Sequence, residues 1–320
     1  MMAKRLCKEI GLISSEEIDA FLESFDTVLC DVDGVLRIGS RAIDGSPEAI
    51  KQLRQLGKNI YYVSNSSLQS RKVYLDSLVE KGYDGCVDDM FTASYSCAQY
   101  LKDIGFSKTV YVLGTNAVGE ELDEVGIKHV GCGYDSTPDR WYDPAVVKDI
   151  KATMSDDIGC VIVGMTCDVS YLKLIKSVSY LSDPNVLFLG TNMDKKFQLS
   201  KGYIVPGDGP FISFIQSATG RSPIVLGKPN KHMFETVKSV HPDVVPSRTL
   251  MVGDTPSADM LFGNICGLKT LMVGTGSGSL NEIKAFEDTT DEETQQYIPD
   301  YYVNKLSDLL PHLERYQRSV

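Results

Sequence analysis

Short apolar runs that alternate with amphipathic stretches along almost the whole chain are the feature that most limits its fold. Repeated alternation of strand and helix is typical of a mostly parallel α/β sheet, and we predict an α/β fold of this kind. Nine runs are predicted as strands: Thr27–Asp31, Ile60–Ser64, Val110–Leu113, Cys160–Val163, Val186–Leu189, Ile224–Leu226, Leu250–Gly253, Thr270–Val273 and Tyr301–Val303.

The segment 46–57 carries the signals of one helix between these strands. Ser46 is a residue type that caps helices, Pro47 suits a first helical turn, and Gly57 suits a helix end. Apolar residues between them recur every three or four positions, which is the period of an amphipathic helix. We therefore predict a helix that opens at Ser46 and ends before Gly57.

The middle of the chain differs in composition from the rest. Residues 131–143 are rich in turn-forming residues, and several strands near them are separated from the polar motifs described below. We predict that residues 109–206 form an inserted second domain, and that residues 1–108 and 207–320 together form the first domain.

Two aspartates and a glycine, Asp31-Val32-Asp33-Gly34, close the first predicted strand. In an extended chain, residues two apart point the same way, so Asp31 and Asp33 are expected to face one site, where a cation or a proton would relieve their repulsion. Gly34 permits a tight turn and can present its N–H to a ligand. The same tetrapeptide occurs in ordinary turns and in calcium loops, but the remaining calcium-loop ligands are absent.

Two further polar clusters follow predicted strands. Ser64 and Asn65 end the second strand, and a helix is predicted to start at about Leu68; side-chain donors beside a helix N-terminus suit an anion. Lys228 follows Ile224–Leu226 and could place a compact positive charge on a phosphoryl group. Taken alone, these residues are explained better by a helix cap and by a lysine in a surface turn.

A last cluster begins at Asp254, directly after Leu250–Gly253. A carboxylate at the end of a buried strand is costly unless it is paired or metal-bound, and Asp254 would complete a magnesium site. Asp259 is predicted to support the site by starting or orienting the following helix. All four clusters then lie at the carboxyl ends of strands, where open α/β sheets bind ligands.

In this order, the four clusters resemble the motifs of the haloacid dehalogenase superfamily of phosphohydrolases: Asp31-x-Asp33-Gly34, Ser64-Asn65, Lys228-Pro229, and Gly253-Asp254 with Asp259. The long insert between the second and third motifs resembles that superfamily's C2-type cap. Finer similarity, including Gly207-Asp208-Gly209, points to the branch of 4-nitrophenylphosphatases and phosphoglycolate phosphatases. The resemblance implies a Rossmann-like parallel-sheet core with an inserted α/β cap.

The resemblance also implies a mechanism for hydrolysing small phosphomonoesters. Asp31 would attack the phosphorus and form an aspartyl-phosphate. Asp33 would protonate the leaving oxygen and then help to activate water. Mg²⁺ would lie between the Asp31 carboxylate, the backbone carbonyl of Asp33, and Asp254.

Substrate binding is assigned by the same resemblance. Ser64, Lys228 and N–H groups near Gly34 and Asn65 would hold the phosphoryl oxygens. The cap would close over the site, exclude bulk water and select the leaving group. Relatives of this type often dimerise through the cap, so a homodimer is implied as well.

Four positions depart from the pattern of that family. Arg37 stands where tryptophan is common after the first motif, Thr255 where many members have arginine, and Thr166 where many have aspartate. Phe197 stands where the pyridoxal-phosphate branch places a histidine, which weakens an assignment to that branch. Since none of the four is an implied catalytic residue, we expect activity to be retained.

Composition limits the binding partners and the cellular location that we expect. A net charge of -11 repels phosphate backbones, so nucleic acid is not expected as a partner, whereas one local cation still permits a phosphorylated metabolite. No apolar run reaches the roughly 18 residues of a membrane span, and the start of the chain has no signal-peptide core. The 8 scattered cysteines predict reduced thiols in a cytoplasmic protein, and the 4 separated histidines do not suggest a metal site.

The leading hypothesis is a magnesium-dependent phosphatase for substrates such as phosphoglycolate and 4-nitrophenyl phosphate. A phosphomutase on the same scaffold would have to shield the aspartyl-phosphate from water. The C2-like cap argues against it, because the phosphomutases of this superfamily resemble a different, helical cap type. A catalytically silent protein that binds phosphometabolites is the third hypothesis. Thr166 and Thr255 suggest it, whereas both aspartates of the first motif oppose it.

Overall fold

The chain is described by a computed structural model that covers residues 5–200 and 202–319. Contacts between residues divide it into two compact units. The first unit consists of Met1–Ser64, Tyr74–Phe91 and Lys228–Val320, and the second consists of Asn65–Val73 and Thr92–Gly227.

A seven-stranded sheet forms the centre of the first unit. Its strand Thr27–Cys30 pairs in parallel with a neighbour on each side, and Val28 lies opposite both Leu250 and Ile60. These three side chains are buried in one large apolar cluster. In spatial order the strands are Lys8–Glu9, Tyr301–Val303, Lys269–Val273, Thr249–Gly253, Thr27–Cys30, Asn59–Ser64 and Met90–Thr92.

Helices pack against this sheet, and the helix predicted at Ser46 is among them. It spans Ser46–Gln55, but Gly45 with φ 77° is its N-cap, and Ser46 is a buried first residue whose hydroxyl donates to Val35. The predicted end is confirmed, since Gly57 has φ 77°. The other α-helices with residues in this unit are Ser15–Glu23, Arg71–Val79, His232–Val240, Leu261–Ile265, Leu280–Glu287, Glu292–Gln295 and Leu310–Ser319.

The second unit is built on a smaller parallel sheet of five strands. Along its central strands, alternate side chains enter two different apolar clusters: Val112 and Ile162 belong to one, whereas Val161 and Val163 belong to the other. Both faces of the sheet are therefore covered, as expected for parallel strands. In spatial order the strands are Ile224–Val225, Leu187–Gly190, Ile158–Val163, Thr109–Leu113 and His129–Val130.

The second unit extends beyond residues 109–206. Helix Ala93–Asp103 packs one face of the smaller sheet through Cys97 and Leu101, and helix Asp208–Thr219 packs the other through Ile212. Their apolar side chains bring both helices into the same unit as that sheet. The unit also contains the helices Asn116–Glu124, Pro144–Ala152 and Tyr171–Leu181, and the antiparallel strands Lys196–Ser200 and Tyr203–Pro206.

The predicted α/β class with parallel sheets is confirmed. Each of the nine predicted strands is present, with ends that differ by at most about two residues. The strands that prediction missed are mostly two or three residues long, which is too short for a clear alternating pattern. None of the helices in the described ranges is long and apolar enough to cross a membrane.

Candidate active site

Three buried carboxylates meet at the carboxyl edge of the larger sheet. Asp31 follows Thr27–Cys30, and Asp254 follows the adjacent strand Thr249–Gly253. Asp259 lies on the next helical turn, and one oxygen from each of the three carboxylates lies within 4.8 Å of the others. Each residue is less than a tenth exposed.

A buried lysine joins two of these carboxylates. The Lys228 ammonium donates to Asp31 Oδ1 at 2.6 Å, to Asp259 Oδ1 at 2.7 Å and to the Val63 carbonyl at 3.1 Å. Lysine has three N–H donors, so these acceptors match its capacity. To hold a phosphoryl oxygen as predicted, Lys228 would have to share or release one of them.

Burial and neighbouring charges shift the pKa values of Asp31, Asp254 and Lys228. Burial raises the pKa of Asp31 well above its ordinary value; Lys228 opposes the shift, and Asp259 and Asp254 add to it. Burial and Asp259 together raise the pKa of Asp254 to about 6. Burial alone would lower the pKa of Lys228, but Asp259 and Asp31 outweigh it and raise that pKa.

The donor set fits a hard divalent cation. The Lys228 ammonium pairs with Asp31 and Asp259, two of the three close carboxylates, so one positive charge faces three acidic groups. Carboxylate oxygens are the ligands that Mg²⁺ prefers in proteins, and it needs only one or two of them. Asp31 and Asp254 are suited to this role, whereas Asp259 is already an acceptor for Lys228 and for the backbone N–H groups of Asp254 and Thr255.

A glycine-rich loop after Lys269–Val273 packs against Asp254. The Ser277 N–H donates to Asp254 Oδ2 at 2.5 Å, and a methyl group added at Gly276 would overlap the same carboxylate. This loop is not among the motifs predicted from the sequence. The alternation Gly274-x-Gly276-x-Gly278 directly after a buried strand was the available signal, because it permits close backbone approach.

Asp33 has different partners from Asp31. The extended strand ends at Cys30, and the Asp33 carboxylate accepts from Arg37 Nε at 2.9 Å and from the Tyr74 hydroxyl. The Asp31 carboxylate instead accepts from Lys228. That both side chains face one site stays a prediction, since the contacts show only that the two carboxylates have different partners.

Gly34 forms a tight turn, and its backbone N–H is bonded within that turn. Its φ is 89°, its N–H donates to the Arg37 carbonyl at 2.8 Å, and its own carbonyl accepts from the Thr275 hydroxyl. An added methyl group would come within 2.6 Å of an Asp254 oxygen. Glycine is therefore required here for both backbone conformation and space.

Ser64 and Asn65 fall in different units. Ser64 is buried at the end of Asn59–Ser64, and its hydroxyl is 3.3 Å from the Tyr74 hydroxyl. Asn65 belongs to the second unit, where its side chain donates to Asp194 at 3.2 Å.

The helix expected at about Leu68 begins at Arg71 instead. The Arg71 N–H donates to the Glu121 carboxylate at 2.5 Å, and Arg71 Nε contacts the same group at 2.9 Å. The carboxylate of Glu121 therefore occupies this helix N-terminus, where the sequence suggested an anionic ligand.

The remaining departures from the family pattern have plain structural roles. Thr255 donates its hydroxyl to Asp254 Oδ1 at 3.2 Å, so it supports that carboxylate directly. The Thr166 hydroxyl accepts the Asp168 N–H at 3.1 Å, and Phe197 pairs with Val205 across the short antiparallel strands.

Comparisons with known proteins support the family resemblance of the motifs. Residues 28–128 match the family described as haloacid dehalogenase-like hydrolase, and residues 225–309 match one described as HAD-hydrolase-like. A human glycerol-3-phosphate phosphatase is 34% identical over 314 residues, covering 94% of this chain and 95% of that protein. A 4-nitrophenylphosphatase of Schizosaccharomyces pombe is 36% identical over 313 residues, covering 96% of this chain and 99% of that protein.

A solved structure agrees in fold. The p-nitrophenyl phosphatase from Archaeoglobus fulgidus superimposes with a TM-score of 0.75 at 24% identity, covering 90% of this chain and 99% of that one. The chain belongs to the haloacid dehalogenase-like hydrolases. The family resemblance of the motifs is thus confirmed, as is the predicted enzyme class of phosphoric monoester hydrolase.

Proposed function

We propose that the chain hydrolyses small phosphomonoesters at the cluster of Asp31, Asp254, Asp259 and Lys228. The observation that carries the proposal is the buried Lys228 ammonium, which joins Asp31 at the end of one strand to Asp259 on the helical turn after the adjacent strand. The names of two relatives, a glycerol-3-phosphate phosphatase and a 4-nitrophenylphosphatase, support this substrate class. Glycerol 3-phosphate therefore joins phosphoglycolate and 4-nitrophenyl phosphate as a candidate substrate.

The first step we propose is transfer of the phosphoryl group to Asp31. An Asp31 oxygen forms a bond to phosphorus while the bond from phosphorus to the ester oxygen breaks, and Asp33 gives its carboxyl proton to the departing oxygen. Lys228 orients the attacking carboxylate through its contact at 2.6 Å. The products are the alcohol and an aspartyl-phosphate.

The second step we propose is hydrolysis of that aspartyl-phosphate. Water attacks phosphorus, its proton passes to the Asp33 carboxylate, and the bond to Asp31 breaks to release inorganic phosphate. Asp33 thereby regains the proton it lost, and the cycle closes. Asp259 contributes by holding Lys228 and the backbone at Asp254 in place.

Magnesium is the cofactor that we propose for this site. The Asp31 and Asp254 carboxylates and the Asp33 backbone carbonyl would hold the ion. When bound, it would reduce the negative charge on the attacking carboxylate and on the phosphoryl oxygens. A homodimer formed through the inserted domain stays a prediction.

Phosphate release from 4-nitrophenyl phosphate, glycerol 3-phosphate and 2-phosphoglycolate tests the proposal. We expect release that requires Mg²⁺ and stops with excess chelator, because the carboxylate cluster needs a cation to bind an anionic ester. Phosphate bound tightly without turnover by a folded protein would indicate the silent binder. A phosphorylated sugar isomerised without phosphate release would indicate the phosphomutase.

Replacing Gly276 with alanine tests the proposed metal site separately from the nucleophile. The added methyl group overlaps the Asp254 carboxylate, so the carboxylate must move. We expect the Mg²⁺ concentration for half-maximal activity to rise about 10- to 100-fold, as for lost support of a metal ligand. Gly11→Ala is the matched control, because a methyl group there meets no atom within 4 Å. An unchanged Mg²⁺ requirement in Gly276→Ala would remove Asp254 from the proposed ligand set.

A further inference from the structure

Arg37 and Tyr74 hold both carboxylate oxygens of Asp33. Arg37 Nε donates to Oδ1 at 2.9 Å, and the Tyr74 hydroxyl donates to Oδ2. The two donors come from different elements, since Arg37 lies on the strand Arg37–Ile38 and Tyr74 on the helix Arg71–Val79. The carboxylate is therefore fixed in both position and orientation.

The contact differs from an ordinary surface ion pair, which contributes little because both side chains move freely. The Asp33 side chain is 54% exposed, but that of Arg37 is only 14% exposed. The Arg37 guanidinium lies 4.4 Å from the centre of the buried Tyr74 ring and donates to the Ser77 hydroxyl at 3.2 Å. A guanidinium stacked and braced in this way is already ordered before it pairs.

The Tyr74 hydroxyl also lies 3.3 Å from the hydroxyl of Ser64. Both residues are buried, and Ser64 is the last residue of a strand inside the sheet. Tyr74 therefore connects Asp33 to a buried strand of the sheet, whereas Asp33 itself lies beyond the end of Thr27–Cys30.

We propose that Arg37 and Tyr74 are positioning residues that hold Asp33 where it delivers a proton to the leaving oxygen. This rests on the proposed function, in which Asp33 is the proton donor. A general acid must lie within hydrogen-bond reach of the atom that it protonates. An exposed aspartate beyond the end of a strand meets that requirement reliably only when other side chains restrict it.

Leaving groups of different basicity separate positioning from a merely structural role. Phenyl phosphate and 4-nitrophenyl phosphate have similar shapes, but phenolate is the more basic leaving group and depends more on a proton. General acid catalysis contributes about 10²- to 10⁴-fold. We expect Arg37→Ala and Tyr74→Phe each to lower the ratio of kcat for phenyl phosphate to kcat for 4-nitrophenyl phosphate about 10-fold, with smaller changes in KM.

The design includes a control and a coupling test. Arg41→Ala removes an exposed arginine from the paired strand of the same hairpin, and we expect it to leave the ratio unchanged. Asp33→Asn should lower the ratio at least as much as Arg37→Ala, and combining the two should lower it no further, because both act through one carboxyl group. Tyr74→Phe retains the ring beneath Arg37, so it also serves if Arg37→Ala does not fold.

The outcomes distinguish this inference from the proposed function. If wild-type protein releases phosphate from neither ester, the proposed function fails. If it releases phosphate but the variants reduce both rates equally, or raise the rate with phenyl phosphate, the positioning role is wrong. An additive loss in the Asp33→Asn background would also contradict it, since Arg37 would then act elsewhere.

Discussion

Asp31→Asn is expected to lose phosphatase activity by a factor of about 10⁴ or more. The amide has nearly the shape of the carboxylate but cannot act as the nucleophile that forms the aspartyl-phosphate. Lys228 keeps its contacts with Asp259 and the Val63 carbonyl, so the fold should persist. Initial rates with 4-nitrophenyl phosphate at saturating Mg²⁺ give the loss, and circular dichroism checks the fold.

An exposed aspartate in the same unit supplies the control. Asp44→Asn makes the same chemical change on the surface, and we expect it to leave the rate unchanged. Turnover of Asp31→Asn within about 10-fold of wild type would exclude Asp31 as the nucleophile. A phosphorylated protein trapped by rapid acid quench in wild type, and absent from Asp31→Asn, would support the covalent step directly.

The sequence predicted the edge of the sheet better than the details of the site. Asp31 and Asp254 each follow an apolar run, and the carboxyl ends of neighbouring parallel strands meet at one edge. The local pattern did not determine that their strands are adjacent, since this depends on the whole sheet order. The family resemblance implied only a Rossmann-like parallel-sheet core.

Contacts made by turns and distant side chains could not be predicted. One partner of Asp33 is Tyr74, which lies 41 residues further along the chain. The helix after Ser64 starts at Arg71, where Glu121 accepts its first N–H from 50 residues away. Neither contact has a local signature, because each partner is brought there by tertiary packing.

Lys228 illustrates how position in the fold changes the interpretation of a residue. Viewed alone, a lysine between glycine and proline is most often exposed in a turn. Here its ammonium is buried and bonded to two carboxylates. Only the adjacency of two strands and the helical turn that carries Asp259 provides those partners.

Removing the charge of Lys228 should therefore reduce both stability and activity. Lys228→Met leaves Asp31 and Asp259 buried without their cation, and breaking a buried ion pair from one side costs about 3–5 kcal/mol. We expect the free energy of unfolding in urea to fall by about that amount and activity to be lost. Lys51→Met removes an exposed lysine from helix Ser46–Gln55, and it should change neither quantity appreciably.

The effect of pH and a second substitution identify the cause of that loss. Burial raises the pKa of Asp31 and, to about 6, that of Asp254. A carboxyl group whose folded pKa is raised destabilises the metal-free protein as pH rises from its unfolded pKa, about 4, through its folded pKa. The destabilisation of Lys228→Met should therefore be larger at pH 8 than at pH 5. Lys228→Met combined with Asp259→Asn should recover part of the stability without activity. A destabilisation independent of pH and unaffected by Asp259→Asn would instead indicate lost packing of the lysine side chain.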